Sequence, residues 1–300
     1  MGKYFRNGCE VKMDISKARI NDIKRLKWLY EKYCNQDIPI LLTNKMQLCN
    51  KFSLSPKQLH DLDNYLKAIR QDMRKIFLSI NNIDRIYSSY PKQGRKELLP
   101  SDKETIAIYI EYIITKYRVI IEYTLKILDM VVEYRGAMFK GNRKKLTHTD
   151  LYNMKLDYLK RLISNDDRRR ILNDEWFESI RKTRNSIIHN GATCLVFDGG
   201  KEKLFQIYNL EVDELIVDDF YLHTGNCIYF DYFISLNLAN LIYFIDSIFS
   251  VVLEKIGYDY NEETDSIVEL IVSPALNTVS DTQKCVMNWV DNIIKMYDKE

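Results

Sequence analysis

Apolar residues recur at helical spacing along most of this chain, and the pattern changes only past its middle. Residues 14–35 put Ile20, Ile23, Leu26, Leu29 and Tyr30 on one face, with Asp14 or Ser16 as candidate N-cap. Residues 36–54 contain Pro39 and read as a loop or extended piece. Ser55-Pro56 then opens a helix to about Tyr90, with Leu62, Tyr65, Ile69, Met73, Phe77 and Ile80 facing inward. Proline suits the first turn, where its missing N–H would have had no partner. Pro91-Lys92-Gln93-Gly94 breaks this helix, and Pro100-Ser101-Asp102 caps the longest periodic run, 102–137. There Ile110, Ile113, Tyr117, Ile120, Ile121, Thr124, Leu128 and Val131 follow helical spacing, and further apolar residues widen the stripe. A helix apolar over most of its circumference belongs at the centre of a bundle.

Gly136 and Gly141 end that run, and a basic link over 140–147 carries Lys140, Arg143, Lys144 and Lys145. Thr149-Asp150 caps a helix to about Ile163, and Asp166-Asp167-Arg168-Arg169-Arg170 leads into another over about 171–190. Beyond Gly191 the pattern becomes β-like. Ala192–Phe197 and Leu204–Leu210 are short β-prone runs separated by Asp198-Gly199-Gly200, a hairpin signal. Runs near 214–222 and 226–230 are candidates to complete a small antiparallel sheet. An apolar helix over 231–256 and a last one over about 281–297 follow. The expected fold is mainly α, a helical bundle with a small antiparallel β insertion at about 192–230. Its expected divisions are an N-terminal helical region (1–100), the bundle (101–260) and an acidic helical tail (261–300).

Composition agrees with long helices. Glycine and proline number only 10 and 5, against 21 Tyr, 12 Phe and 3 Trp. The net charge of +2 conceals an asymmetry, since residues 1–196 carry net +15 and residues 197–300 net −13. No arginine occurs after Arg184. A basic first two-thirds suits a polyanion such as RNA; equally, both faces are simply solvated and the acidic part folds back on the basic one. Cys9, Cys34, Cys49, Cys194, Cys227 and Cys285 are scattered, with no Cys-x-x-Cys and no adjacent histidine. That spacing speaks against zinc or a disulfide framework and for free thiols in a reducing cytosol. The first residues contain no apolar run, so no signal peptide is expected. Residues 232–253 hold Asp246 as their only charge, but Ser235, Asn237, Asn240, Ser247 and Ser250 interrupt them, which fits a buried helix rather than a membrane span.

The chemistry-bearing stretch is Arg184-Asn185-Ser186-Ile187-Ile188-His189, followed by Asn190-Gly191. A cation that holds a phosphate and an imidazole that moves a proton are the two groups needed to cut RNA without a metal. At about 100° per residue, Arg184 falls in the apolar arc with Trp176, Phe177, Ile180, Ile187 and Ile188. Burying a guanidinium costs several kcal/mol unless it is paired, so Arg184 needs a carboxylate or a polar pocket. Asn185 and His189 share another face, four residues apart. Arg184 and His189 lie about 140° apart on a straight helix. Joint action therefore calls for the last turn to unwind at Asn190-Gly191 or for a second copy to come alongside. The residues also admit a plainer reading, with Arg184 in a structural salt bridge and His189 in a C-terminal cap.

Arg-Asn, three residues, then His at the end of a bundle helix resembles the signature of the HEPN superfamily, all-helical domains of many ribonucleases, toxins and phage-defence proteins. In that family four to six residues stand between the arginine and the histidine, and the residue after arginine is commonly Asn, Asp or His. The resemblance covers about 102–256, with the long helix, a second helix, the motif helix and a strongly apolar helix in order. It implies a cytoplasmic homodimer whose two motif helices meet in one cleft, needing no metal or cofactor. His189 would assist attack of the ribose 2′-hydroxyl on the adjacent phosphorus or protonate the leaving 5′-oxygen. Arg184 would stabilise the phosphorane, and Asn185 would orient His189 or a phosphate oxygen. The products would carry 2′,3′-cyclic phosphate ends, and an antitoxin or regulatory partner would be in keeping with the family.

Some members place an acidic residue on the preceding long helix facing the motif. Glu122 is the candidate here and Glu111 the reserve, although Arg118 and Lys126 at i−4 and i+4 make a solvated ion-pair ladder the stronger reading of Glu122. Members silenced by a nucleotidyltransferase continue the motif as His-x-Tyr. Gly191 stands at that place, so the residue such regulation modifies is missing. Lys144 and Lys145, with Arg168, Arg169 and Arg170, are candidates for an RNA-binding rim. Tyr152, Tyr158 and Trp176 offer rings for base stacking or for core packing. The alternative to a nuclease is a non-catalytic helical module that binds RNA or protein.

Overall fold

The computed structural model describes residues 3–6, 9–12, 55–131, 157, 161, 175–199, 202–208, 226–255 and 291. The readings for 14–54, both basic tracts, the run near 214–222, Tyr152 and Tyr158 lie outside the described residues, as do the side chains of Trp176 and Val131. Of the expected helices ending near 163 and 297, the described positions Asp157, Arg161 and Asp291 are helical.

Two short strands, β1 (Lys3–Arg6) and β2 (Cys9–Lys12), pair antiparallel with Arg6 opposite Cys9. The first residues, expected within an N-terminal helical region, thus form a hairpin. Its sequence signal was present as Asn7-Gly8, the dipeptide most suited to a two-residue reversal.

Helix α1 (Pro56–Ser89) begins where Ser55-Pro56 indicates. The Ser55 hydroxyl accepts from the Gln58 amide at 3.3 Å, and Gln58 Oε1 accepts from the Ser55 amide at 2.9 Å, a reciprocal capping box. A single 3₁₀ turn, Pro91–Gln93, ends on Gly94 in the left-handed conformation (φ 72°), a backbone that favours glycine. Helix α2 (Pro100–Val131) follows. Ile106, Ile110, Ile113, Ile114, Tyr117, Ile120, Ile121, Thr124, Leu125, Ile127 and Leu128 are all buried along it. It earns that burial by touching α1, the motif helix α3 (Glu175–His189), strand β3 (Thr193–Gly199) and helix α4 (Phe230–Lys255). The breadth of its apolar stripe therefore has a cause: neighbours surround it. The boundary expected near residue 100 falls between two helices that pack on each other.

β3 pairs antiparallel with β4 (Glu202–Tyr208), Gly199 opposite Glu202, and β4 pairs with β5 (Ile228–Tyr229). The described fold is thus mainly helical with a small three-stranded antiparallel sheet. Phe205 of β4 is fully buried, edge-on against Phe230 and Phe233 of α4. Helix α4 buries Phe233, Ile234, Leu238, Leu241, Phe244, Ile245, Ile248 and Phe249, together with Asn237, whose amide donates to the Phe233 carbonyl at 2.8 Å. Among the described residues no helix is long and apolar enough to cross a membrane.

Polar contacts fix the sheet against α2. Asp198 accepts from the Leu98 amide at 3.1 Å and pairs with Lys103 at 2.6 Å, tying the β3–β4 hairpin to the start of α2. Glu111 accepts from the Cys194 amide at 2.8 Å. Lys203 of β4 reaches Asp84 of α1 at 2.6 Å and Asp231 of α4 at 2.8 Å, so one ammonium joins three elements.

Candidate functional site

Helix α3 buries Phe177, Ile180 and Thr183. On a helical wheel with Phe177 at zero, Ile180 and Thr183 lie at about 300° and 240°, so the buried arc is centred near Ile180, to one side of the apolar arc expected from sequence. Arg184, at about 340° between Ile180 and Phe177, is half-buried, while Ile188, expected within the apolar arc, is 44% exposed. The helix runs intact to His189. It closes through Gly191 in the left-handed conformation (φ 66°), with the Asn190 and Ala192 amides both donating to the Ser186 carbonyl at 3.1 and 3.0 Å. Nothing stands within 4 Å of where a Gly191 Cβ would lie. Gly191→Ala is therefore expected to destabilise the chain by about 1–2 kcal/mol through backbone strain alone, read as a lower urea midpoint.

The Arg184 side chain bridges what the wheel separates. Its Nη1 stands 3.4 Å from His189 Nε2 and donates to Asn185 Oδ1 at 3.1 Å. Unwinding of the last turn, one of the two routes foreseen, is not used. The wheel locates Cβ atoms, whereas a long arginine side chain curls across the helix surface to reach the exposed imidazole. An N–H aimed at Nε2 requires the tautomer with its proton on Nδ1, which leaves the Nε2 lone pair facing the guanidinium.

Helix α2 supplies the other wall. Arg118 Nη1 donates to the same Asn185 Oδ1 at 3.0 Å, and Arg118 Nε donates to Glu122 at 2.8 Å. Asn185 thus accepts from two guanidinium groups, one on each helix. Glu122 forms the i−4 ion pair and has a half-exposed side chain; its hydrogen bond is to Arg118 and not to a motif residue. Lys126, the other rung of that ladder, lies 5.4 and 5.3 Å over the rings of Tyr65 and Tyr123 instead. The reserve, Glu111, holds β3 and does not face the motif.

Among the described residues nothing neutralises Arg184. Among the described residues no carboxylate lies within ion-pair distance of it, and its Nε is enclosed without an acceptor. Its pKa is lowered, first by burial and then by the Arg118 guanidinium, with Glu122 acting in the opposite sense. Sequence reasoning found Arg184, Asn185 and His189 together and missed Arg118, which it treated as part of a surface ladder. The arrangement is a cation-rich patch between two helices with an imidazole beside it, suited to an anion that has a proton to lose nearby.

No family model matches the chain, and neither a curated protein nor a solved structure does.

Proposed function

We propose that this chain is a metal-independent endoribonuclease of HEPN type, acting as a homodimer in the cytoplasm, in a toxin or phage-defence role. The observation that carries it is the Arg184 guanidinium, unneutralised among the described residues and 3.4 Å from the His189 imidazole. In this reading His189 Nε2 takes the proton of a ribose 2′-hydroxyl as its oxygen attacks the adjacent phosphorus. The bond to the 5′-oxygen breaks, and that oxygen takes up a proton, from the imidazolium of the partner's motif helix in a composite site. One fragment ends in a 2′,3′-cyclic phosphate and the other begins with a 5′-hydroxyl. Arg184 offsets charge on the phosphorane, where fixed cationic donors act most strongly. Asn185 sets the position of Arg184.

The reaction dictates its own test. A strand carrying a single 2′-deoxynucleotide at the cleaved position is expected to survive, in buffer containing a chelator, conditions in which the all-ribose strand is cut. Equal cutting of the two strands would remove 2′-hydroxyl attack.

A second reading has an observation in its favour: Asn185 links α2 to α3 through Arg118. In a non-catalytic RNA- or protein-binding module this cluster would be a clamp between helices. Asn185→Ala separates the two. As a clamp it carries about 1–3 kcal/mol of stability and nothing else, whereas in the nuclease its removal also slows cleavage of RNA by molecules that remain folded.

A further inference from the structure

We propose that Arg118 is a second phosphate-binding guanidinium of this site, so that Arg118 and Arg184 clamp one phosphodiester group between α2 and α3. The identity of that phosphate as part of an RNA strand rests on the ribonuclease reading; the clamp itself does not.

The geometry is unusual for a structural contact. Two guanidinium groups converge on one neutral oxygen, Asn185 Oδ1, at 3.0 and 3.1 Å. An amide oxygen occupies their N–H groups without cancelling their charge, so two like charges are held close at a partly buried place. Among the described residues one carboxylate stands against them, Glu122, bound to Arg118 Nε on the side away from Asn185 and half exposed to water. Screening by solvent weakens such a carboxylate. The enclosed Arg184 Nε adds a donor with no acceptor among the described residues. A structural cluster would be expected to close its charge; among the described residues this one retains an excess that an anion would offset.

The shape of the excess selects the anion. Each guanidinium is a planar fork that matches two oxygens, and forks on two helices match a tetrahedral group with several oxygens better than a spherical ion. His189 lies on the Arg184 side only. A phosphate held by both forks therefore meets the imidazole on one flank, which orients it for reaction at one ester oxygen. Arg118 is in this scheme a phosphate contact, and Glu122 a competitor for its charge. That assigns Glu122 a role opposite to the supporting one implied by the family pattern: it tempers anion affinity.

The clamp is tested with inorganic phosphate, titrated at constant ionic strength against chloride and read as a shift in Tm. Wild type is expected to gain stability with phosphate, Arg118→Ala and Arg184→Ala to lose the gain, and Glu122→Gln to enlarge it. Enlargement in Glu122→Gln is a response that a purely structural role for Arg118 would not give. A 2′-deoxy oligonucleotide, which resists cleavage, is expected to bind Arg118→Ala about 10- to 100-fold more weakly than wild type, the loss of a charge-assisted contact. Should Arg118→Ala not fold, Arg118→Lys decides, since it keeps the charge but not the fork and is expected to lie between the two. A phosphate response absent from wild type, or undiminished in Arg118→Ala or, failing that, Arg118→Lys, overturns the clamp. Phosphate binding as described in a chain that never cuts RNA would instead overturn the nuclease and leave the clamp standing.

Discussion

His189→Ala and Arg184→Ala are each expected to lower the rate of RNA cleavage by about two orders of magnitude or more, with the fold retained. A positioned imidazole contributes about 10²–10⁴-fold to a proton transfer, and a fixed donor at a developing oxyanion about 10²–10³-fold. The fold should tolerate both changes. His189 is exposed at the end of α3, and Arg184 forms no ion pair with a described carboxylate that its loss would strand. The check is single-turnover cleavage of a labelled RNA beside urea unfolding of the same preparations. Undiminished cleavage in both variants would sink the assignment. Melting of Arg184→Ala alone, with His189→Ala fully active, would turn the site into a structural one.

The second large effect concerns the fold that holds this site. Lys203→Met is expected to destabilise the protein by about 3 kcal/mol, because it leaves the carboxylates of Asp84 and Asp231 without the cation between them. The figure is at the lower end for broken buried pairs, since the Asp231 side chain is 46% exposed and water screens it. Burial already raises the Asp84 carboxyl above its ordinary range, with Lys203 working to lower it. Removing the lysine raises it further. A carboxyl whose folded pKa is raised is penalised when ionised, so the deficit is fully present above that folded value. It shrinks as pH falls through it and is gone below the unfolded value. Urea midpoints of wild type and Lys203→Met should therefore converge on acidification. A gap that widens in acid would refute this account of the triad.

Much of this fold could be read from single residues because the signals were local. Ser55-Pro56 with Gln58 fixes the start of α1, and Asp198-Gly199-Gly200 marks the β3–β4 reversal to within two residues. The apolar spacing of α2 identified its inner face and, from its breadth, its central place. Contacts across the fold were not legible. Arg118 is 67 residues from Asn185, and its nearest acidic neighbour on its own helix made a surface ion pair a sufficient explanation. The wheel placed Arg184 and His189 apart because it records backbone direction and says nothing of how far a side chain curls. Ile188 was assigned to the core by the same average, although the buried arc of α3 is centred nearer Ile180. Lys203, Asp84 and Asp231 come from three elements, and no spacing rule relates them.

The chemistry of the new 3′ end formed when the chain cuts RNA tests the central claim most directly. A 2′,3′-cyclic phosphate, opposite a 5′-hydroxyl, is the expected result when the neighbouring 2′-oxygen attacks under the control of Arg184 and His189. A 3′-hydroxyl opposite a 5′-phosphate would show that water attacked instead, and would contradict it.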